Sequence, residues 1–212
     1  CYRETVSILI DKGDATGIEA KLCHDDVSDP GNKLLEVFYF HEVFRNFWLG
    51  YAERSNHYVK KYEELIEPRY FEAYIIKFYK ALNILAMLKK RRNGAKSEDV
   101  DEIIASMRIA AAHAGPNFRN KLELLEAEQY GVTSRNDRAA AFHAYNTAIA
   151  SAQKAKFVHE QGLACEKAGF YCKRMKDNEK SLMYFNQARE CYEKWGSTVK
   201  VEFIQKELSK LM

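Results

Sequence analysis

The fold is decided by two short stretches that lie 40 positions apart: Ala-Phe-His-Ala-Tyr-Asn-Thr-Ala at residues 141–148 and Ser-Leu-Met-Tyr-Phe-Asn-Gln-Ala at residues 181–188. Each has a small residue, an aromatic residue four positions later, and another small residue three positions after that. On a helix these three positions share one face. The first small residue lets two helices approach, the aromatic side chain fills the gap, and the second small residue admits the next helix. The spacing predicts the second helices of two stacked helix hairpins.

Two further sets extend this pattern. A weaker copy lies 36 positions before the first stretch, at Ala105, Ile109 and Ala112. The first helix of the last hairpin carries a small–small–aromatic face, Ala164, Ala168 and Tyr171. Any packed pair of helices shows such spacing by chance, which is the alternative to a repeat. We favour degenerate repeats, and predict an all-α fold: a right-handed α-solenoid of about four to five antiparallel, tetratricopeptide-like hairpins.

Composition agrees with long helices. The 212 residues include only 3 Pro and 10 Gly, with 47% apolar and 30% charged residues. Such a chain can bury a core and has few helix breakers. No segment alternates with period two for long enough to predict a strand. The formal net charge of +3 is too small to imply a nucleic-acid partner.

Apolar periodicity and capping residues predict the element order. Residues 1–32 are expected to be a remnant helix and an irregular lead-in, and residues 33–212 a tetratricopeptide-like domain. Helices are predicted at about 34–47, 51–65, 68–92, 97–114, 137–155, 157–174, 177–195 and 197–211, with a short one near 118–131. Ser97 and Ser197 are expected to cap their helices, as are Asp137 or Asn136 and Asp177 or Asn178. Pro68 is expected near the start of its helix. Gly94 and the Gly115-Pro116 pair are expected to stop the helices before them.

The C-terminal half resembles a known family. The resemblance is carried by Gly-Pro-Asn-Phe at 115–118, Lys-Leu-Glu-Leu-Leu-Glu-Ala-Glu at 121–128, Phe-Val-His-Glu-Gln-Gly-Leu-Ala-Cys-Glu at 157–166 and Cys-Tyr-Glu-Lys-Trp-Gly at 191–196. These segments resemble the degenerate tetratricopeptide region of large signalling proteins. In that family a serine/threonine-kinase-like domain and an AAA-type predicted ATPase precede the helical repeats, and GAF and histidine-kinase modules often follow. The similarity covers about residues 110–208, and more loosely 38–90. Gly115 stands where the family has cysteine.

The resemblance implies a scaffold or linker between signalling modules and brings no catalytic residue into this chain. The sequence has no Gly-x-x-x-x-Gly-Lys-Ser/Thr phosphate-binding loop and no His-Arg-Asp motif. We therefore expect no enzymatic activity, no cofactor and no metal here. The first residue is Cys1 rather than Met, so we expect a segment of a larger ATPase- or kinase-type regulator.

Three chemical candidates have simpler explanations. His41-Glu42 and His159-Glu160 begin like a zinc-protease helix, but Arg45 and Leu163 stand where its second histidine is needed. Five cysteines without paired spacing indicate a reducing, cytoplasmic location and small buried hydrophobes. The basic run at 89–92 is typical of a solvated helix end, so we expect no nucleic-acid binding. No apolar run is long enough for membrane insertion.

The predicted function is a non-catalytic scaffold that binds a protein partner or neighbouring domains of the same polypeptide. The predicted contact residues are polar positions on the first helices of two hairpins: Arg119, Glu123, Glu126, His159, Glu160, Lys167 and Arg174. The predicted core residues are Tyr145, Phe157, Tyr171, Phe185 and Trp195. The alternative is a ligand-sensing helical-repeat domain with a small-molecule cavity. The sequence leaves the oligomeric state open.

Overall fold

The computed structural model describes residues 33–65, 70–90, 96–133 and 137–211. Over these ranges the chain forms helices joined by short turns, with no strand. The helices are α1 (Lys33–Trp48), α2 (Ala52–Leu65), α3 (Tyr70–Lys89), α4 (Ser97–His113), α5 (Gly115–Thr133), α6 (Arg138–Lys154), α7 (Val158–Arg174), α8 (Asn178–Trp195) and α9 (Thr198–Ser209). The predicted all-α class is confirmed for the described residues. The lead-in predicted at 1–32 and the stop at Gly94 lie outside them.

The chain divides into two compact units, Cys1–Asn93 and Gly94–Met212. In the first unit, α1, α2 and α3 pack on one another around aromatic side chains such as Phe44 and Tyr79, whose ring centroids are 5.6 Å apart. Ser55 is completely buried between the helices, where its Oγ donates to the Val43 carbonyl at 2.9 Å and accepts from Asn83 at 2.9 Å. Polar as well as apolar contacts therefore stabilise this core.

In the second unit each helix from α4 to α9 packs on the next one in chain order, and α5 also contacts α7. The two decisive stretches lie where the sequence predicts them. Their six packing residues have 0% exposure: Ala141, Tyr145, Ala148, Ser181, Phe185 and Ala188. The matching face of α7 is buried as well. The predicted burial of these three faces is confirmed.

The buried face predicted from the weaker third copy of the pattern is wrong. Ala105 and Ala112 are exposed, and Ile109 is 61% exposed. The buried positions with the same four- and three-residue steps are instead Ile103, Met107 and Ala110. Helix α4 carries two faces with this spacing, and the one with more apolar surface is buried because hydrophobic stabilisation grows with the apolar area removed from water.

Glycine residues also allow close approaches between helices in this unit, whereas the sequence pattern predicts such approaches only at alanine and serine. A Cβ atom at Gly169 of α7 would lie 2.7 Å from the Phe185 ring, and one at Gly162 would lie 2.8 Å from the Tyr192 ring. At Gly131 of α5 it would lie 2.9 Å from the Tyr145 hydroxyl. Each distance is shorter than carbon or oxygen atoms tolerate, so these aromatic rings pack directly against glycine backbone.

Helix starts agree only in part with the predicted caps. Asp137 and Asp177 cap α6 and α8 by accepting from Ala140 N at 2.9 Å and Lys180 N at 3.1 Å, as predicted. Ser97 is not a cap, because α4 already begins there, although the acidic first turn is present. Ser197 occupies the cap position of α9 but makes no capping bond.

The helix predicted to be short near 118–131 runs over 19 residues, Gly115–Thr133. It is longer than predicted because Pro116 lies in its first turn, where a missing N–H costs nothing. Within this helix Leu122 and Gln129 are only half-buried. Phe157 and Trp195, predicted as core, are also half-buried, because both lie at helix ends.

Four interhelical turns share one geometry. Each contains a residue with positive φ: Gly50 (83°), Lys156 (61°), Lys176 (60°) and Gly196 (84°). In each turn this residue's N–H donates to the carbonyl three positions earlier, and the next N–H donates to the carbonyl five positions before itself. This is the Schellman-type helix end, for which glycine is the preferred residue. At two of the four positions the chain has lysine instead.

Replacing Lys156 and Lys176 with Gly should therefore stabilise the protein. A side chain in the left-handed region costs roughly 1 kcal/mol, which glycine avoids. Thermal unfolding followed by circular dichroism should show the double variant melting a few degrees above wild type. Glu202→Gly is the matched control, because Glu202 is exposed inside α9. There glycine should lower the melting temperature, and a decrease for the lysine variants too would contradict the assigned turn geometry.

Candidate functional site

The predicted contact residues of α5 lie one and two turns apart on a surface stripe. Arg119 is exposed, while Glu123 and Glu126 are half-buried. Glu126 pairs with Arg108 of α4 at 2.8 Å. Burial raises the pKa of Glu123 by more than its hydrogen bond with Ser151 of α6 lowers it. This stripe is therefore tied to both neighbouring helices and leaves Arg119 as its most accessible charge.

Three of the four predicted contact residues of α7 follow a seven-residue step and become more accessible along the helix. Glu160 is buried, Lys167 is half-buried and Arg174 is exposed. The Arg174 guanidinium lies over the Tyr171 ring, 5.6 Å from its centroid, and Nη2 is 3.4 Å from the Gly131 carbonyl oxygen of α5. Lys167 and Arg174 thus present charge at the surface, and Glu160 does not.

Glu160 differs from the accessible position expected for it, because it binds inside the protein. Its carboxylate pairs with Lys121 of α5 at 2.8 Å, and both side chains are nearly inaccessible. Asn120 also donates to Glu160, and Lys121 donates to the Asn117 carbonyl at 2.9 Å. The Lys121 ammonium lies 4.7 Å from the centre of the Phe157 ring. A buried charge needs such partners, so this carboxylate fixes α7 to α5.

His159 lies beside this buried pair. Its ring stacks on Trp195 of α8 with centroids 5.4 Å apart, and its Nε2 is 3.7 Å from the Glu160 carboxylate. Burial lowers the pKa of His159 by more than Glu160 raises it. The imidazole is therefore neutral at neutral pH and serves as a packing surface for Trp195.

A second buried ion pair joins α7 to α9. Glu166 lies 2.6 Å from Lys200 and accepts from the Tyr192 hydroxyl at 2.6 Å. Although burial opposes ionisation, the attraction of Lys200 and Lys167 lowers the pKa of Glu166. Burial lowers the pKa of Lys200 by more than Glu166 raises it. The Lys200 ammonium also lies near two rings, 5.2 Å from the centre of Tyr192 and 4.7 Å from that of Phe203.

Sequence reasoning missed both pairs. Lys121 and Glu160 are separated by 39 positions, and Glu166 and Lys200 by 34. Each residue looks locally like a solvated helix charge. A signal was present in the sequence, since these separations are close to the predicted repeat length, but spacing alone does not select which charges pair.

The described residues contain no cluster of histidine, cysteine, aspartate and glutamate suited to a metal ion. At His41-Glu42, the glutamate is held by Arg45 through two hydrogen bonds of 2.8 and 2.7 Å. Arg45 is the residue that replaces the second histidine of the zinc-protease pattern. The Arg45 guanidinium is thus hydrogen-bonded to the carboxylate that a zinc-protease site would use.

One open pocket lies in the first unit. Its volume is about 300 Å³, and the α1–α2 turn and the end of α3 line it, including Tyr51, Glu53, Arg54 and Lys90. Ligand sites are mostly apolar clefts with a few polar groups, whereas these walls are largely polar. The ligand-sensing alternative stays a prediction.

Among the described residues, no helix has both the length and the apolar character needed to cross a bilayer. Comparison with protein-family models, with curated proteins and with solved structures finds no match to this chain. The resemblance to the repeat region of large signalling proteins therefore stays a prediction.

Proposed function

We propose that this chain is a non-catalytic helical-repeat scaffold that binds a protein partner or neighbouring domains of its own polypeptide within a signalling protein. The observation that carries the proposal is a set of polar contacts between alternate helices. Lys121 and Glu160 link α5 to α7, and Glu166 and Lys200 link α7 to α9. Tyr184 of α8 donates to Asn146 of α6 at 2.9 Å. These contacts join first helix to first helix and second helix to second helix.

The sequence separations of these contacts support stacked repeats. They are 39, 34 and 38 residues, close to the 40 that separate the two packing stretches. In a solenoid each repeat contacts its neighbours, so contacts one repeat length apart are expected. The α1–α2 hairpin shares a further detail with α7–α8. Ser55 and Ser181 each donate to a carbonyl 12 positions earlier, Val43 and Gly169, across their hairpins.

A stack of this kind presents a long concave binding face that is built from the first helix of each pair. On α5 and α7 the accessible charges are Arg119, Lys167 and Arg174, beside the half-buried Glu123 and Glu126. We assign the partner-binding face to these positions. Glu160 belongs to its support rather than to its surface.

The test compares partner capture by two variants of equal charge change. Arg119→Ser/Lys167→Ser alters the proposed face, and Lys154→Ser/Lys206→Ser removes two exposed lysines of α6 and α9. Affinity capture of the full-length protein from its native cells, with quantitative mass spectrometry, should show partners lost from the first variant and retained by the second. Arg119, Lys154 and Lys206 are exposed, so their replacement should change stability little. Because Lys167 is half-buried and its charge acts on Glu166, a thermal melt must show the first variant folded at the temperature of the capture.

Equal partner recovery from both variants would contradict the binding face. Turnover of a substrate by the purified chain would contradict a non-catalytic role.

A further inference from the structure

Two cysteines face each other across the contact between α7 and α8. Cys165 has 0% exposure and Cys191 has 5%. The Cys165 Sγ lies 3.8 Å from the side-chain oxygen of Gln187, which is one helical turn before Cys191 on α8. A hydrogen bond between the two thiols is the largest cause of the opposite shifts in their pKa values, raised for Cys165 and lowered for Cys191. The pair is therefore placed side by side before any chemistry occurs.

The backbones of the two helices approach closely at this point. A Cβ atom at Gly162, one turn before Cys165, would lie 3.0 Å from the Cβ of Cys191. An interhelical disulfide requires Cα atoms about 4.4–6.8 Å apart, which ordinary helix packing at 8–10 Å between axes seldom gives. Gly162 therefore lets α8 approach α7 closely in the helical turn next to Cys165.

We infer that Cys165 and Cys191 are a site of oxidative modification, at which hydrogen peroxide forms an intramolecular disulfide that cross-links α7 to α8. The Cys191 thiolate attacks one peroxide oxygen, the O–O bond breaks, and hydroxide leaves and takes up a proton as water. The sulfenic acid at Cys191 is then attacked by the Cys165 sulfur. The S–S bond forms, the S–O bond breaks, and the departing hydroxide takes the Cys165 proton. Two thiols are oxidised, and one peroxide is reduced to two waters.

The surroundings favour Cys191 as the attacking sulfur. The hydrogen bond from Cys165 lowers the pKa of Cys191 by more than burial raises it. The same hydrogen bond, together with burial, raises the pKa of Cys165. The remaining cysteine of α7, Cys172, packs in the cluster around Tyr145 and Tyr171. Burial raises the pKa of Cys172 to about 12, so it is the matched unreactive thiol.

The experiment uses the full chain with Cys1 and Cys23 replaced by Ser, so that only Cys165, Cys172 and Cys191 remain. After treatment with hydrogen peroxide under native conditions, peptide mass spectrometry should find Cys165 and Cys191 linked, with the loss of two hydrogen atoms. The melting temperature should rise by roughly 5–10 °C, because the cross-link restrains the unfolded chain. Dithiothreitol should reverse both changes.

Cys191→Ala in the same background should show neither the linked peptide nor the rise in melting temperature, and Cys172→Ala should show both. Circular dichroism of each variant before oxidation establishes that it is folded. The inference is overturned if folded protein keeps three alkylatable thiols, if Cys191 proceeds to sulfinic acid without linking, or if the linked peptide appears only in urea.

Discussion

Replacing Phe185 with Ala should lower the melting temperature by about 10 °C or more. Phe185 has 0% exposure, and its ring packs on Gly169 and, edge to face, on Phe170 at 5.0 Å between centroids. Removing a buried phenyl ring costs roughly 3–5 kcal/mol, because apolar transfer is lost and a cavity remains. The glycine side of the contact cannot fill that cavity, since it has no side chain to rearrange. Thermal unfolding by circular dichroism measures the loss.

Met183→Ala is the matched control, because Met183 lies on the same helix and is 45% exposed. It should change stability by no more than about 0.5 kcal/mol. Tyr145→Ala should resemble Phe185→Ala, since it occupies the equivalent position of α6. Both core variants should lose partner binding only in proportion to unfolding. A Phe185→Ala protein that melts like wild type, or that stays folded but selectively loses a partner, would overturn its assignment to the core.

Local patterns predict local structure well in this chain. Asp137 and Asp177 cap their helices, and each is one of two neighbouring candidates that the sequence predicts, because a cap depends on backbone groups only three positions away. The buried face of Tyr145 is also correct, because helical spacing and side-chain size agree there. Ala105, Ile109 and Ala112 fail because an amphipathic helix such as α4 offers two faces with the same spacing, and only tertiary packing chooses between them.

The candidate site is less predictable for a related reason. Glutamate is usually exposed, and the burial of Glu160 depends on Lys121, which is 39 positions away in the sequence. Desolvation of either charge alone is costly, so neither is buried without the other. Charge pairing between helices that are distant in the sequence is decided by how the helices pack, and local spacing contains no information about that. Arg119 and Arg174 are exposed, and their role in binding a partner stays a prediction.

The buried pair of Glu166 and Lys200 gives the second large effect. Lys200→Met should destabilise the protein by roughly 3–5 kcal/mol, because it leaves the Glu166 carboxylate buried without its ammonium partner. The double variant Glu166→Gln/Lys200→Met should recover most of that loss, since no uncompensated charge remains and Gln can still accept from Tyr192. Urea unfolding of wild type, of the single variants Glu166→Gln and Lys200→Met, and of the double variant at neutral pH measures the coupling. Arg108→Met, which breaks the exposed pair with Glu126, should cost no more than about 1 kcal/mol.

The pH dependence of the same proteins gives an independent measurement of this pair. Because the folded pKa of Glu166 is lowered, its contribution is fully present above the unfolded pKa of about 4.3 and is lost as the pH falls through the folded value. As the pH is lowered below 5, the free energy of unfolding of wild type should therefore decrease more than that of the double variant. If Lys200→Met were no more harmful than Arg108→Met, and the two acid profiles coincided, Glu166 and Lys200 would not be the buried link between α7 and α9. The contact between α7 and α9 would then depend on apolar packing and on the ion pair of Lys173 with Glu207, 2.7 Å apart.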